Sequence, residues 1–106
     1  MASAAHAPAW VSLGDVLRRG RADFSAAEEC YDRALLADPR SADALGNLAN
    51  IAADVHDDDA KAERLYRLAL AEDPGHADNL VNFADLLADV VTELPPAQAS
   101  GSRLHA

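Results

Sequence analysis

The 106-residue chain is predicted to be all-α, a superhelix of about five antiparallel helices stacked as pairs. Two observations lead there. The apolar half of the sequence holds 25 Ala and 14 Leu but six Val and one Ile, so strong helix formers dominate and the β-branched residues that favour strands are scarce. The second is an internal repeat. Shifting the chain by 35 residues places Leu13 on Leu48, Gly14 on Ala49, Ala27 on Ala62, Glu28 on Glu63 and Tyr31 on Tyr66. The same shift places Ala34 on Ala69, Leu35 on Leu70 and Asp38-Pro39 on Asp73-Pro74, with Arg33 on Leu68 a mismatch. It then carries Leu45 to Leu80, Leu48 to Phe83 and Ala49 to Ala84. A period of this length marks a stacked-repeat architecture, in which no single unit can bury its own apolar face.

Each unit reads as two helices. The first helix opens near Trp10 and carries Trp10, Leu13, Gly14 and Leu17 at helical spacing. A break at residues 19–23 follows, and Ser25-Ala-Ala-Glu28 has the form of a capping box for the second helix. That helix stops at Asp38-Pro39, because proline donates no backbone hydrogen bond and disfavours helix in the residue before it. The third helix repeats the pattern with Leu45, Leu48, Ala49 and Ala52, and a second break falls at His56-Asp57-Asp58-Asp59. Asp59 is placed to cap the fourth helix, which ends at Asp73-Pro74 with Gly75 behind it. A fifth helix is expected from about His76 to Val91. The units therefore run over about 9–41, 42–75 and 76–91, after an N-terminal extension at 1–8. The tail at 92–106 carries Pro, Gly and Ser without a helical stripe and reads as disordered.

Composition narrows the partners. A net charge of −9 opposes nucleic-acid binding, which rests on clustered Lys and Arg, and it would repel anionic lipid. Since the tail has one acid and one base, the whole charge belongs to residues 1–91. No run approaches the ~20 apolar residues of a membrane span. The N-terminus lacks the basic start and apolar run of a secretory signal, and the single cysteine, Cys30, excludes an intramolecular disulfide. The cytosol, or the nucleus, is the expected compartment. No phosphate loop, nucleophile elbow or His-Glu-x-x-His motif is present, so neither an enzymatic role nor a cofactor is expected. Cys30 reads as a structural thiol. His56 and its three aspartates lack the ligand alternation and central glycine of a calcium loop, so they read as a solvated turn rather than a metal site.

Trp10, Leu13, Gly14, Leu17, Phe24, Ala27, Tyr31, Ala34 and Pro39 follow the order of the tetratricopeptide-repeat signature. Leu45, Leu48, Ala49, Ala52, Ala62, Tyr66, Ala69 and Pro74 follow it again. The third unit supplies Leu80, Phe83, Ala84 and Leu87. Over residues 8–91 the chain thus resembles that family, with units one residue longer than the usual 34 and the extra residue in the turn between the paired helices.

The resemblance implies a protein-protein interaction module that presents a concave groove built from the first helix of each unit. Its groove positions map to Ser12, Asp15 and Arg19, to Asn47, Asn50 and Asp54, and to Asn82, Asp85 and Asp89. Asn47 and Asn82 stand one repeat apart, so they are expected to form a short amide ladder able to bond a peptide backbone, or else to be ordinary polar residues of a solvated face. The family's clamp for a chaperone carboxylate tail is not expected. Its Lys, Asn, Asn, Lys and Arg map to Val11, Asp15, Asn47, Asp78 and Asn82, where only Asn47 fits and the aspartates repel a carboxylate.

Asp15, Asp43, Asp54, Asp78, Asp85 and Asp89 all fall on first helices, and Arg18 and Arg19 break the pattern at one end. The expected ligand is a neutral or basic extended peptide. The alternative is a fragment of a longer scaffold, or a self-associating array without a groove ligand. On the fifth helix the apolar residues span more than a one-sided stripe, and Leu86 and Val90, with Leu94 near in projection, form the expected self-association face.

Overall fold

A computed structural model describes residues 4–93. After a short 3₁₀ turn at Ala4–His6, five helices follow in order: α1 (Ala7–Arg21), α2 (Phe24–Ala37), α3 (Ala42–Asp54), α4 (Asp59–Glu72) and α5 (Ala77–Glu93). Consecutive helices pack on one another, with the closest pairing inside the units, α1 with α2 and α3 with α4. Helix α5 lies against α4 and α3. The all-helical architecture and its tetratricopeptide-like α-α stacking agree with the sequence expectation. Leu94 and the remainder of the expected tail lie outside the described residues.

The turn inside each unit differs from the expected one, and its chemistry repeats at 35 residues. Ala22 and Asp57 both adopt a left-handed backbone, with φ of 52° and 54°. This lets the next N–H reach back six residues: Asp23 N–H donates to the Leu17 carbonyl at 2.9 Å, and Asp58 N–H to the Ala52 carbonyl at 2.8 Å. The same two aspartates cap the following helix. Asp23 Oδ1 accepts from the Ala26 N–H and Asp58 Oδ1 from the Lys61 N–H, each at 3.1 Å. The caps are therefore Asp23 and Asp58. Ser25 already lies inside α2, so the expected capping box does not form, and Asp59 is the first residue of α4. A single left-handed residue completes the reversal, so the cap arrives earlier than the sequence pattern suggested.

Left-handed backbone costs a Cβ-bearing residue ~1–2 kcal/mol, less for Asp than for Ala. Ala22→Gly is therefore expected to raise unfolding stability by about 0.5–1 kcal/mol, once the greater freedom of glycine in the unfolded chain is subtracted. Chemical denaturation would show it as a higher midpoint, and a lower midpoint would refute it.

Between units, both second helices stop at the Asp-Pro step: α2 ends at Ala37 and α4 at Glu72. Ser41 and His76, one repeat apart, then cap the next first helices. Ser41 Oγ accepts from the Ala44 N–H at 3.2 Å, and His76 Nδ1 accepts from the Asn79 N–H at 3.2 Å.

Small residues occupy the centre of the stack. Ala27, Ala34, Ala44, Ala49, Ala62 and Ala69 are fully buried, which brings the helix axes close. Tyr31, also fully buried, fills the space that remains, packing with Val11, Ala34, Ala44, Leu48 and Ile51. Gly14 makes room for it, since a Cβ there would stand 2.7 Å from Tyr31 Cε1. Tyr66 takes the same place in the second unit, with Ala49, Ala52, Ala62 and Leu86, and stacks on Phe83 with ring centroids 5.6 Å apart. Three polar links bridge the units near their edges: Glu28 to His56 at 2.6 Å, Arg40 to Glu72 at 2.6 Å, and Asp43 to His76 at 2.6 Å.

The expected self-association face is not free. Leu86 is 5% exposed and Val90 is half-buried, because both turn inward against α3 and α4. The exposed large apolar residues of α5 are instead Leu80, Val81, Leu87 and Val91.

Candidate functional site

Helices α1, α3 and α5 line an open polar groove of about 520 Å³. Its wall consists of Val11, Asp15, Arg18 and Arg19 from α1, and Asp43, Asn47, Asn50 and Asp54 from α3. His76, Asp78, Asn79 and Asn82 close the far side. A smaller hollow of about 190 Å³ adjoins it, lined by Asn50, Asp54, Asp57, Asp59, Tyr66, Asn82, Asp85 and Asp89 with Ala53 and Leu86. Of the residues expected to line a groove, Asp15, Arg19, Asn47, Asn50, Asp54 and Asn82 fall on the larger cavity, and Asp85 and Asp89 on the smaller. Ser12 is exposed and stands outside both linings, where Val11 takes the position on α1.

At the α1 end the polar groups are committed to one another. Tyr31 donates its hydroxyl proton to Asp15 Oδ1 at 2.5 Å and accepts from Arg18 Nε at 3.1 Å. Asn47 Nδ2 donates to the same Asp15 oxygen at 3.1 Å, and Asn47 Oδ1 accepts from Arg18 at 3.5 Å. Arg18 also pairs with Asp15 at 3.5 Å. Burial works against the Arg18 charge, but the Tyr31 hydroxyl and the Asp15 carboxylate outweigh it and hold its pKa above the ordinary value. Asn47 thus spends one donor and one acceptor within the chain, so it is not the fully free rung of an amide ladder. The organising residue of this network is Arg18, which lies outside the repeat-matched positions: its counterparts are Ala53 and Ala88.

The α5 end is different in charge. The counterpart of the Asp15–Tyr31 bond is Asn50 accepting from the Tyr66 hydroxyl. Burial pushes the Tyr66 pKa up to about 12, with the Asp54 and Asp85 carboxylates adding to the effect. Around this neutral pair, Asp54, Asp57, Asp59, Asp85 and Asp89 gather with no Lys or Arg in the lining. Arg18 and Arg19 lie at the α1 end. The groove therefore runs from a mixed-charge end to a strongly acidic one.

Among the described residues, no group of three or more His, Cys, Asp and Glu side chains is arranged to hold a metal ion. Nor is any helix among them long and apolar enough to cross a membrane. Cys30 is buried in α2, where burial, followed by the Glu29 charge, pushes its thiol pKa up; that favours the protonated, unreactive form.

Paired antiparallel helices, stacked through small residues and exposing their first helices along one groove, define a helical-repeat interaction module. The tetratricopeptide-repeat family model matches residues 9–43, and the five-helix arrangement fits that family. No curated protein matches the chain. Repeats of this family typically serve protein-protein interaction or scaffolding and are non-catalytic, and the match suggests such a role.

Proposed function

We propose that the groove binds an extended, neutral or basic peptide segment of a partner protein. The observation that carries this reading is the asymmetry of charge along the groove. Arg18 and Arg19 stand at the α1 end, while five aspartates surround Asn50, Tyr66 and Asn82 at the α5 end. A bound segment would place Lys or Arg over α3 and α5, where the aspartate potentials add. Asn82 and the remaining donor and acceptor of Asn47 would bond its backbone. A rigid groove needs no rearrangement to receive the peptide, so the ordering cost falls on the ligand. The buried thiol and the absence of any disulfide requirement fit a reducing compartment, the cytosol or nucleus.

Fluorescence anisotropy with a library of labelled peptides containing Lys and Arg tests the proposal. Binding is expected to weaken about tenfold between 50 and 500 mM salt, as screening removes the attraction. Asn82→Ala together with Asp54→Asn is expected to weaken it about as much again without shifting the melting temperature. Binding that ignores salt, or that is absent from the whole library, would rule out this reading.

A further inference from the structure

Helix α5 carries two apolar stripes, and only one is covered. Phe83, Leu86 and Val90 pack onto the core of the second unit, and Asn79 is buried against α3. Leu80, Ala84, Leu87 and Val91 recur at steps of four, three and four, within an arc of roughly 60° at ~100° per residue. All four are exposed, with Leu80 at 47%, Leu87 at 38% and Val91 at 56%. One repeat earlier, Leu45, Ala49 and Ala52 occupy the places of Leu80, Ala84 and Leu87, and they are 6%, 0% and 1% exposed. Ala49 and Ala52 are covered there by Ala62 and Tyr66 of α4. The uncovered stripe is thus the seat of a second helix.

The repeat itself describes what fits. Both second helices present Ala-x₃-Tyr-x₂-Ala, as Ala27, Tyr31 and Ala34 and as Ala62, Tyr66 and Ala69, all of them at most 2% exposed. The chain's own next segment matches this pattern at one position of three, Ala97. By register Gly101 falls at the tyrosine position and Leu104 at the second alanine. Thr92 falls where Ala22 and Asp57 turn the chain with positive φ, a conformation that a β-branched residue resists, and α5 runs helical to Glu93. A second copy stacking α5 on α5 is opposed by charge, because the helix carries Asp78, Asp85, Asp89 and Glu93 and no basic residue.

We infer that the Leu80–Val91 stripe is a docking seat for an amphipathic helix from a different protein, bearing a small-x₃-aromatic-x₂-small stripe flanked by Lys or Arg. The helix docks as the second helix of the third unit. Its aromatic hydroxyl, where it has one, donates to Asp85, the counterpart of Asp15 and Asn50, which accept from Tyr31 and Tyr66. The apolar stripe of Leu80, Ala84, Leu87 and Val91 lies outside the groove lining, and Asp85 is the residue the two surfaces share.

The probe is a labelled peptide of the α4 sequence, residues 58–73, carrying Glu63→Lys and Glu72→Lys, titrated with the full chain. Saturable binding with a gain of helical circular dichroism is expected. Leu87→Glu in the chain and Tyr66→Ala in the peptide should each weaken it at least about tenfold. Leu68→Glu on the exposed face of α4 should leave it unchanged, and both chain variants should melt as the parent does, because Leu87 and Leu68 are exposed. No binding at about 1 mM peptide overturns the inference. So does binding indifferent to Leu87→Glu, which would mean that the peptide replaces α4 itself. Binding that emerges only after residues 94–106 are removed would give the seat to the chain's own tail. A dimer in light scattering that Leu87→Glu dissolves would give it to a second copy. Each of these also overturns the inference.

Discussion

Tyr31→Ala is expected to lower the unfolding free energy by about 3–5 kcal/mol, the usual loss for an aromatic ring removed from a packed site. Folded domains of this size hold only ~5–15 kcal/mol in reserve. The ring is fully buried among residues of α1, α2 and α3, and its hydroxyl joins Asp15 to Arg18. Truncation therefore opens a cavity beside Gly14 and removes a partner from both charges. Urea denaturation would measure the loss, and a cost below about 1 kcal/mol would show that Tyr31 is not central to the stack.

Tyr31→Phe separates the hydroxyl from the ring through alkaline pH. Burial pushes the Tyr31 pKa up to about 12; the Arg18 hydrogen bond pulls it down and the Asp15 bond adds to the rise. Tyr66 reaches about 12 as well. In the unfolded chain tyrosine ionises near 10, so between about pH 10 and 12 the unfolded state gives up protons that the folded state keeps. Stability is intact below that window and falls as pH rises through it, by about 1 kcal/mol per tyrosine at pH 11. Tyr31→Phe should remove roughly half of that decline. Urea midpoints at pH 8 and 11 would check it.

Gly46→Ala is expected to cost about 2–3 kcal/mol, against the rule that alanine improves a helix interior by ~1 kcal/mol. The added Cβ would stand 1.9 Å from Asn79 Oδ1. Asn79 cannot simply swing aside, because it is 3% exposed and its Nδ2 donates to the Ala42 carbonyl at 3.1 Å. Displacing it strands both groups away from water. One repeat back, Val11 stands in the place of Gly46 and Ala44 in the place of Asn79, so bulk and space are exchanged between the two helix faces. Asn79→Ala should therefore rescue Gly46→Ala, with a coupling of about 1 kcal/mol or more in the double-mutant cycle. Hydrogen exchange along α5 would locate the effect, and strictly additive variants would show that the two residues do not oppose each other.

The helices, their order and their Asp-Pro stops were legible because a 35-residue period and a 3.6-residue periodicity agree over most of the chain. The caps were displaced because left-handed backbone at an alanine has no sequence signature of its own. Comparing the two turns in register does place Asp23 on Asp58, the signal that could have found them. The Gly46–Asn79 contact and the Arg18 network lie at positions where the repeats differ, so repetition could not reveal them. Leu86 and Val90 show a third limit. A helical projection displays both stripes of α5, while the neighbouring helices decide which is buried. Most groove positions carried over from the family converge on the two cavities, and the hydrogen bonding at Asn47 alters what that residue has left to offer a ligand.

The links between units give the stack uneven stiffness. Small apolar residues along the seam between the first two units, Ala34, Ala37 and Ala44 with Ile51, form a pivot, while Glu28–His56 and Arg40–Glu72 act as stays at its edges. The pivot is indifferent to salt, whereas the exposed Arg40–Glu72 ion pair weakens as the ionic atmosphere thickens. Ionic strength therefore reaches one edge of this joint and leaves its apolar core untouched.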